Sequence, residues 1–295
     1  MELKTIHNLV SELEKNLSIN LLNKNKIRKE LNVILSNSIE NNINKNINYG
    51  VAFSGGIDST LLAILCKKFK KNFKLYTVSV GEGEDLIWAK KASNYLKLPL
   101  VAKIIDFDEA YSVIKKVTEI LNTDDPVKVG IGCVLFSVLN LMKNDNLNHV
   151  VTGLGSDSLF CGFEKHRVAF EKGDILNECI KGIKNIYEND IKRDLNICGH
   201  FNINLICPYL DKDVISYCMR IDPKLKINKN EKKIILRELA LRIGLRKDFA
   251  FRNKLAAQYG SGFDKAIGVF TKENGFKYKR EFLNSLLKNQ EKNAL

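Results

Sequence analysis

The stretch Tyr49-Gly50-Val51-Ala52-Phe53-Ser54-Gly55-Gly56-Ile57-Asp58-Ser59-Thr60-Leu61-Leu62 decides the fold. Val51 to Phe53 is a short apolar run suited to a strand, and Leu61 to Phe69 reads as an apolar helix with a basic end. Between them stands Ser-Gly-Gly-Ile-Asp-Ser. Two adjacent glycines let backbone N–H groups turn inward as an anion-binding nest, and the helix from about Asp58 adds its positive N-terminal end. Ser54 and Ser59 supply hydroxyl donors. Asp58 would repel a bare phosphate, so its place here makes sense if it holds a Mg²⁺ that bridges phosphates. The plain alternative is a glycine turn with a Ser/Asp helix cap. The strand before and the helix after favour the phosphate reading. No GK[ST] follows, so this is not a Walker A loop. Gly81 to Glu84 (GEGE) is too short for a dinucleotide fingerprint and reads as a turn.

Working outward, strand and helix signals alternate. Leu75–Val80 is rich in β-formers, Asp85–Leu96 reads as a helix, and Leu100–Ile105 as another strand. Glu109–Leu121 places Val113, Ile114, Val117 and Ile120 on one helical face; Ile131–Met142 is a mostly apolar helix, and Val150–Thr152 the next strand. This alternation predicts an α/β fold: a parallel sheet with helices on both faces. After Glu171 the signal is mainly helical, with an extended piece near Asn204–Cys207. Residues 1–48 carry Ile27, Leu31, Ile34, Leu35 and Ile39 at helical spacing, so one or two amphipathic helices and an Asn-rich turn are expected there. The main domain is expected over 49–270, with a basic C-terminal tail over 271–295.

The composition is globular: 295 residues, 45% hydrophobic and 27% charged. That excludes a disordered tail protein, a collagen-like repeat and a disulfide-dense miniature scaffold. No apolar run reads as a membrane span and no signal-peptide layout opens the chain, so a cytoplasmic protein with reduced thiols is expected. The seven cysteines contain no C-x-x-C pair, and the four histidines show no metal spacing. Trp88, Tyr95 and Phe69 fall at helix-core positions. The net charge is +13, and from Lys224 to Leu295 there are 18 basic and 7 acidic residues, so +11 of it lies in the last quarter. Such a region suits RNA, nucleotide phosphates or simply water, and plentiful Asn, Lys and Ile point to coding bias as a further source.

The motif SGGxDS after a first strand resembles the signature of the PP-loop ATP pyrophosphatases, whose fold is adenine nucleotide alpha hydrolase-like. Downstream segments narrow the resemblance to asparagine synthetases. Val78-Ser79-Val80-Gly81 with Asp85-Leu86 looks like their second strand and helix. Thr118-Glu119 and Asp125-Pro126-Val127 are similar to a stretch before their next helix. Thr152-Gly153-Leu154-Gly155-Ser156-Asp157-Ser158-Leu159-Phe160-Cys161-Gly162-Phe163 resembles their GEGADELFGGY loop. Pro208-Tyr209-Leu210-Asp211 matches PFLD or PYLD, Lys232 to Glu238 resembles KYILRE, and Arg252 to Gly260 an R-x-K-x-A-x-Q-Y-G segment.

The resemblance implies roles. ATP and Mg²⁺ are the implied cofactors. Ser54, Gly55, Gly56, Asp58 and Ser59, with Gly153 and Gly155 of the second loop, would bind ATP and pyrophosphate. Val78, Val80 and Gly153 would contact the adenosine, Asp58 and Asp157 would hold the metal, and Lys254 would stabilise the transition state as pyrophosphate leaves. The reaction implied is amide formation through an adenylated carboxylate, aspartate to asparagine by default, with a small-molecule carboxylate and an amine as partners.

Three departures bear on the acceptor side. Glutamine-dependent members begin with a glutaminase domain bearing an N-terminal cysteine. Here Glu2 stands second and about 50 residues precede the loop, so ammonia or a separate glutaminase is the expected amine source. Leu154 and Ser158 replace family glutamates, and leucine can neither accept a proton nor bind an ammonium. Asn204-Leu205-Ile206 replaces the family's E-x-R. Cys161 stands where the family has glycine and is read as packing; Asp211 is read as a helix cap. Two alternatives remain open: a PP-loop RNA-modifying enzyme, and an ATP-binding regulatory paralogue with little catalysis.

Overall fold

The computed structural model describes residues 3–43, 48–69 and 72–293. Two helices, α1 (Ile6–Lys15) and α2 (Lys24–Asn42), open it, as their apolar spacing predicts; the Asn-rich turn at 44–47 lies outside the described residues. The alternating region follows as β1 (Tyr49–Ala52), α3 (Ile57–Lys68), β2 (Phe73–Val80), α4 (Glu84–Leu96), β3 (Leu100–Ile105), α5 (Phe107–Leu121), α6 (Pro126–Asn144) and β4 (His149–Val151). Then come α7 (Ser156–Leu159), α8 (Glu164–Glu171), α9 (Ile175–Lys184), a π-helical turn (Tyr187–Ile191), α10 (Lys192–Phe201) and β5 (Asn204–Ile206). The rest is helical: α11 (Lys212–Met219), α12 (Ile234–Arg242), α13 (Lys247–Ala250), α14 (Ala257–Gly260), α15 (Phe263–Glu273) and α16 (Lys279–Asn293).

The five strands form one parallel sheet in the order β3-β2-β1-β4-β5. The chain winds outward from β1 to β3, then returns to the other side of β1 for β4 and β5. The reversal falls between β1 and β4, which pair Val51 with Val151. In open parallel sheets, ligands bind beyond the carboxyl ends of the strands at such a reversal. The loops after β1 and β4 therefore emerge side by side.

Helices cover both faces. One core joins Ile27, Leu31 and Leu35 of α2 to Leu61 and Leu65 of α3 and Leu236 and Leu239 of α12. The other joins Val113 and Val117 of α5, Val129 and Leu139 of α6, and Ile267 and Phe270 of α15. Asp125 caps α6 by accepting from Val127 and Lys128 N–H, with Pro126 in its first turn, so the helix starts before the Ile131 expected from apolar periodicity. By length and composition alone α6 could cross a membrane, a candidate not anticipated from the sequence. Here it is a core helix packed on the sheet, with Val129, Cys133, Val138, Leu139 and Met142 buried.

Residues 279–293, expected within a basic tail, fold as α16. Phe282, Leu283 and Leu286 are buried against the second core, and Lys279 pairs with Asp264 at 2.7 Å. Arg280 and Lys288 are exposed on the same helix.

Candidate active site

The loop after β1 is shaped by what crowds it. Gly55 has φ +65°, and a Cβ there would lie 2.6 Å from the main-chain carbonyl of Trp88. Only glycine combines that conformation with that approach. Ser54 and Ser59 hydroxyls lie 3.4 Å apart, and Gly56 N–H donates to Ser54 Oγ at 3.3 Å. Gly56 precedes α3 without a side-chain cap, leaving the first turn of the helix open toward the loop. Arg252 fixes the loop from outside: one guanidinium nitrogen donates to Ser54 carbonyl at 2.8 Å, another to Asp85 at 2.7 Å. Trp88 is thus more than helix core, since its ring lies beneath the Arg252 guanidinium at 5.2 Å. Lys254 crosses Gly56 so closely that a Cβ there would stand 2.4 Å from its Cδ. Its ammonium is only loosely held, 3.8 Å from Asp85.

The loop after β4 meets the first loop. A Cβ on Gly153 would sit 3.1 Å from Asp58 Cβ. Gly155 has φ +94° over Leu210. The two carboxylates assigned to metal converge, but on a side chain that sequence reasoning did not single out. Lys233 Nζ donates to both Asp58 oxygens at 2.8 Å, to Asp157 at 2.7 Å and to Ser156 Oγ at 3.3 Å. Lys233 is 6% exposed and itself has φ +59° at the start of α12. Burial works against the Asp157 charge, but the adjacent Lys233 ammonium, with Lys254 and Lys232 beyond, outweighs it and holds the carboxyl below its ordinary value. Burial likewise opposes the Lys233 charge, and Asp157 and Asp58 overcome it, raising that ammonium above its usual range. The KKIILRE segment was the available signal, yet nothing in its spacing said which lysine turns inward.

The loops open into a cavity of about 470 Å³. Ser54, Asp58, Ser59, Val78, Gly153, Gly155, Asp157 and Lys254 line it. Gly55, Gly56 and Val80 do not. The Val80 N–H is committed to the Ser261 carbonyl at 2.8 Å. Apolar side chains of α6, among them Ile131, Val134 and Leu135, line the cavity as Val78 does. Arg252 Nε, Gln258 Oε1 and Ser261 Oγ are buried without partners and belong to residues on the cavity wall. Unpaired buried polar atoms call for a ligand or water. The chamber thus offers apolar walls, unspent polar groups and a cationic rim, which suits a nucleoside triphosphate. Mg²⁺ is commonly held by one or two carboxylates plus phosphate oxygens. Asp58 and Asp157, drawn to one cation, fit that donor set.

Leu154 and Ser158 also line the cavity, as do Asp190, Arg193 and Asp194. Arg193 is spent: its Nε donates to Asp194 at 2.7 Å and a terminal nitrogen to Asp190 at 3.0 Å. Burial lifts the Asp194 carboxyl above its ordinary value despite Arg193. Asn204 lies on β5 outside the cavity, its amide 3.3 Å from His149. Asp211 caps α11, as read from the sequence, by accepting from Asp213 N–H. Among the described residues no group of three or more His, Cys, Asp or Glu side chains is placed to hold a metal.

The asparagine synthase family matches residues 30–177 and 171–273. A putative glutamine-hydrolysing asparagine synthetase of Methanocaldococcus jannaschii is 29% identical over 296 residues, covering 88% of this chain and 54% of that protein. A probable glutamine-hydrolysing asparagine synthetase of Schizosaccharomyces pombe is 25% identical over 263 residues, covering 80% and 47%. The chain thus spans about half the length of the curated relatives it matches. Among solved structures, NMN synthetase from Francisella tularensis is similar at TM-score 0.43 and 14% identity, over 91% of this chain and 94% of that one. The U34-tRNA thiolase of Methanococcus maripaludis reaches 0.39 at 14% identity, over 91% and 79%. The family match runs through both glycine loops, Lys233 and Lys254, and the chain belongs to the asparagine synthase family.

Proposed function

We propose that this chain is an ATP-dependent, amide-forming ligase that adenylates a carboxylate, releases pyrophosphate, and passes the acyl group to an amine. The observation that carries the reading is the convergence of Asp58 and Asp157, from two loops, on one buried cation beside a loosely held Lys254.

In this reading the nest at Ser54–Ser59 cradles the phosphates and Arg252 keeps that loop rigid. Asp58 and Asp157 hold Mg²⁺, which when bound screens the phosphate charge. Lys254, poised over Gly56, faces the α-phosphoryl oxygens where charge accumulates during in-line attack; a fixed cation there lowers the barrier. Lys233 keeps the two carboxylates together, and its ammonium favours the ionised form of Asp157. Aspartate is the default acceptor, with ammonia or a separate glutaminase supplying nitrogen.

Leu154 favours a second reading, an ATP-binding regulatory protein, because no carboxylate at that position can manage the incoming amine. The RNA-modifying alternative draws on the basic quarter, where Lys224, Lys229, Arg242, Lys247, Lys265 and Lys272 are exposed but part of the charge turns inward. Lys226, Lys233 and Arg252 are buried, and Arg237 donates inward to the Lys232 and Ala250 carbonyls.

Carboxylate-dependent ATP–pyrophosphate exchange tests the proposal. Exchange stimulated by aspartate or another small acid supports the ligase. Exchange that requires tRNA supports the RNA enzyme. ATP binding without exchange for any acid across a panel leaves the regulatory reading.

A further inference from the structure

The second glycine loop carries a feature that nucleotide binding does not use. Cys161 Sγ and Cys179 Sγ lie 3.2 Å apart. Cys161 follows Asp157 in the loop and immediately precedes Gly162, whose N–H donates to the Asp157 carbonyl at 2.8 Å. A Cβ on Gly162 would run into the Asp157 carboxylate and Lys233 Cε. Cys179 belongs to α9, a different element. The pair occupies a small apolar patch with Ala169, Ile175 and Ile227, apart from the two main cores. Cys161 also has φ +58°, a conformation that favours glycine. A thiol therefore stands where the backbone prefers no side chain, and points at another thiol.

We infer that Cys161 and Cys179 form a reversible disulfide site that tethers the Asp157 loop to α9, with a low-molecular-weight disulfide of the glutathione class as oxidant. A disulfide requires sulfurs about 2.05 Å apart, so the pair must close by only about an ångström. The chemistry balances as two exchanges. Cys179 thiolate attacks one sulfur of the oxidant, forming a mixed disulfide and releasing one small thiol. Cys161 then attacks the Cys179 sulfur, forming the internal bond, and its proton passes to the leaving sulfur, which departs as the second small thiol. Two protein thiols are oxidised and one small disulfide is reduced to two thiols.

Cys179 is the first nucleophile on geometry. It is 4% exposed, whereas Cys161 is fully buried. The Cys161 thiol hydrogen bond to Cys179 Sγ also pulls the Cys179 thiol below its ordinary pKa, against the effect of burial. Closing the bond draws Cys161 toward α9, and with it the Asp157–Gly162 turn. The Asp157 carboxylate then moves off Lys233, and affinity for Mg²⁺ with inorganic pyrophosphate falls.

Disulfide formation is independent of the ligase reading. The full chain is incubated under native conditions with oxidised glutathione, then alkylated, digested and weighed. The expected product is a Cys161–Cys179 cross-linked peptide, lost on dithiothreitol treatment, with the other cysteines still alkylated. A persistent glutathione adduct, a different cysteine pair, or an unlinked native protein overturns the site. Cys161→Gly restores the residue suited to the left-handed backbone, so it folds and gives no cross-link; Cys179→Ser serves as the second variant. Binding of Mg²⁺ with inorganic pyrophosphate, measured by calorimetry, should weaken about tenfold in the oxidised wild type and stay unchanged in oxidant-treated Cys161→Gly. An unchanged affinity in the cross-linked protein overturns the coupling to the loop.

Discussion

Lys233 Nζ lies 2.8 Å from both carboxylate oxygens of Asp58, across 175 residues of sequence, and the same nitrogen is 2.7 Å from Asp157. One buried ammonium therefore pins together the two loops that the strand reversal sets side by side. Its removal would leave two carboxylates facing each other in a partly buried space.

Lys233→Met should cost about 3–5 kcal/mol of stability, the range for breaking a buried ion pair by deleting one partner. Urea unfolding measures it. Added Mg²⁺ should recover more of the loss in the variant than it adds to wild type, because the metal replaces the missing cation. A loss below about 1 kcal/mol would show that the carboxylates relax apart and that Lys233 is not the clasp.

The same cluster sets a pH window. The Asp157 carboxyl is held below its ordinary value, so its contribution is present above about pH 4 and is lost as pH falls through its lower folded value. The Lys233 ammonium is raised, so its contribution is present below about pH 10 and lost as pH climbs through its higher folded value. The stability gap between wild type and Asp157→Asn should be widest between those limits and close toward pH 2. A gap that persists at low pH contradicts an ionic origin.

His166 gives a second acid-sensitive site. Burial first, and neighbouring Lys165 second, depress its pKa to about 4, and its Nδ1 accepts from Phe163 N–H. The unfolded chain takes up a proton near pH 6.5 that the folded chain refuses. Stability should thus fall by about 3 kcal/mol as pH drops from about 6.5 to about 4. In His166→Gln this slope should flatten, as read from unfolding midpoints across that range.

Gly55 and Gly81 share φ +65°, yet a Cβ on Gly81 meets nothing within 4 Å while one on Gly55 strikes the Trp88 carbonyl. Gly81→Ala should cost about 1–2 kcal/mol of backbone strain and spare ATP binding. Gly55→Ala must also move α4 from the loop, so it should cost more and abolish ATP binding by calorimetry. Equal effects would contradict the role given to the close approach.

Lys254→Ala should lower pyrophosphate exchange about 100-fold or more, in keeping with the loss of one fixed charge-stabilising group, while leaving the unfolding midpoint nearly unchanged. Its side chain is 24% exposed and, among the described residues, its ammonium pairs only with Asp85 at 3.8 Å, so little stability depends on it. Wild-type exchange in the variant would remove Lys254 from the chemistry.

Within short windows the residues dictate most of the architecture. Val51–Phe53 running into two glycines and then an apolar helix specifies strand, nest and helix, because pleat, turn and helical period are local properties. Repetition of that pattern specifies a parallel sheet, and Asp211 announces the helix it caps, whereas the cap at Asp125 went unread and the helix it starts begins before Ile131. The amphipathic spacing of Phe282, Leu283 and Leu286 was present but masked by surrounding lysines, and only packing against α5 and α6 showed a helix where a tail was expected. What lay beyond any window was convergence. Lys233 rather than Lys232 meets Asp58 because the chain enters α12 through a left-handed residue, Gly155 is fixed by Leu210 beneath it, and Cys161 finds Cys179 on another helix. Periodicity says which face a residue occupies. Strand order decides which distant residues share a point in space, and the chemistry of this protein resides in those shared points.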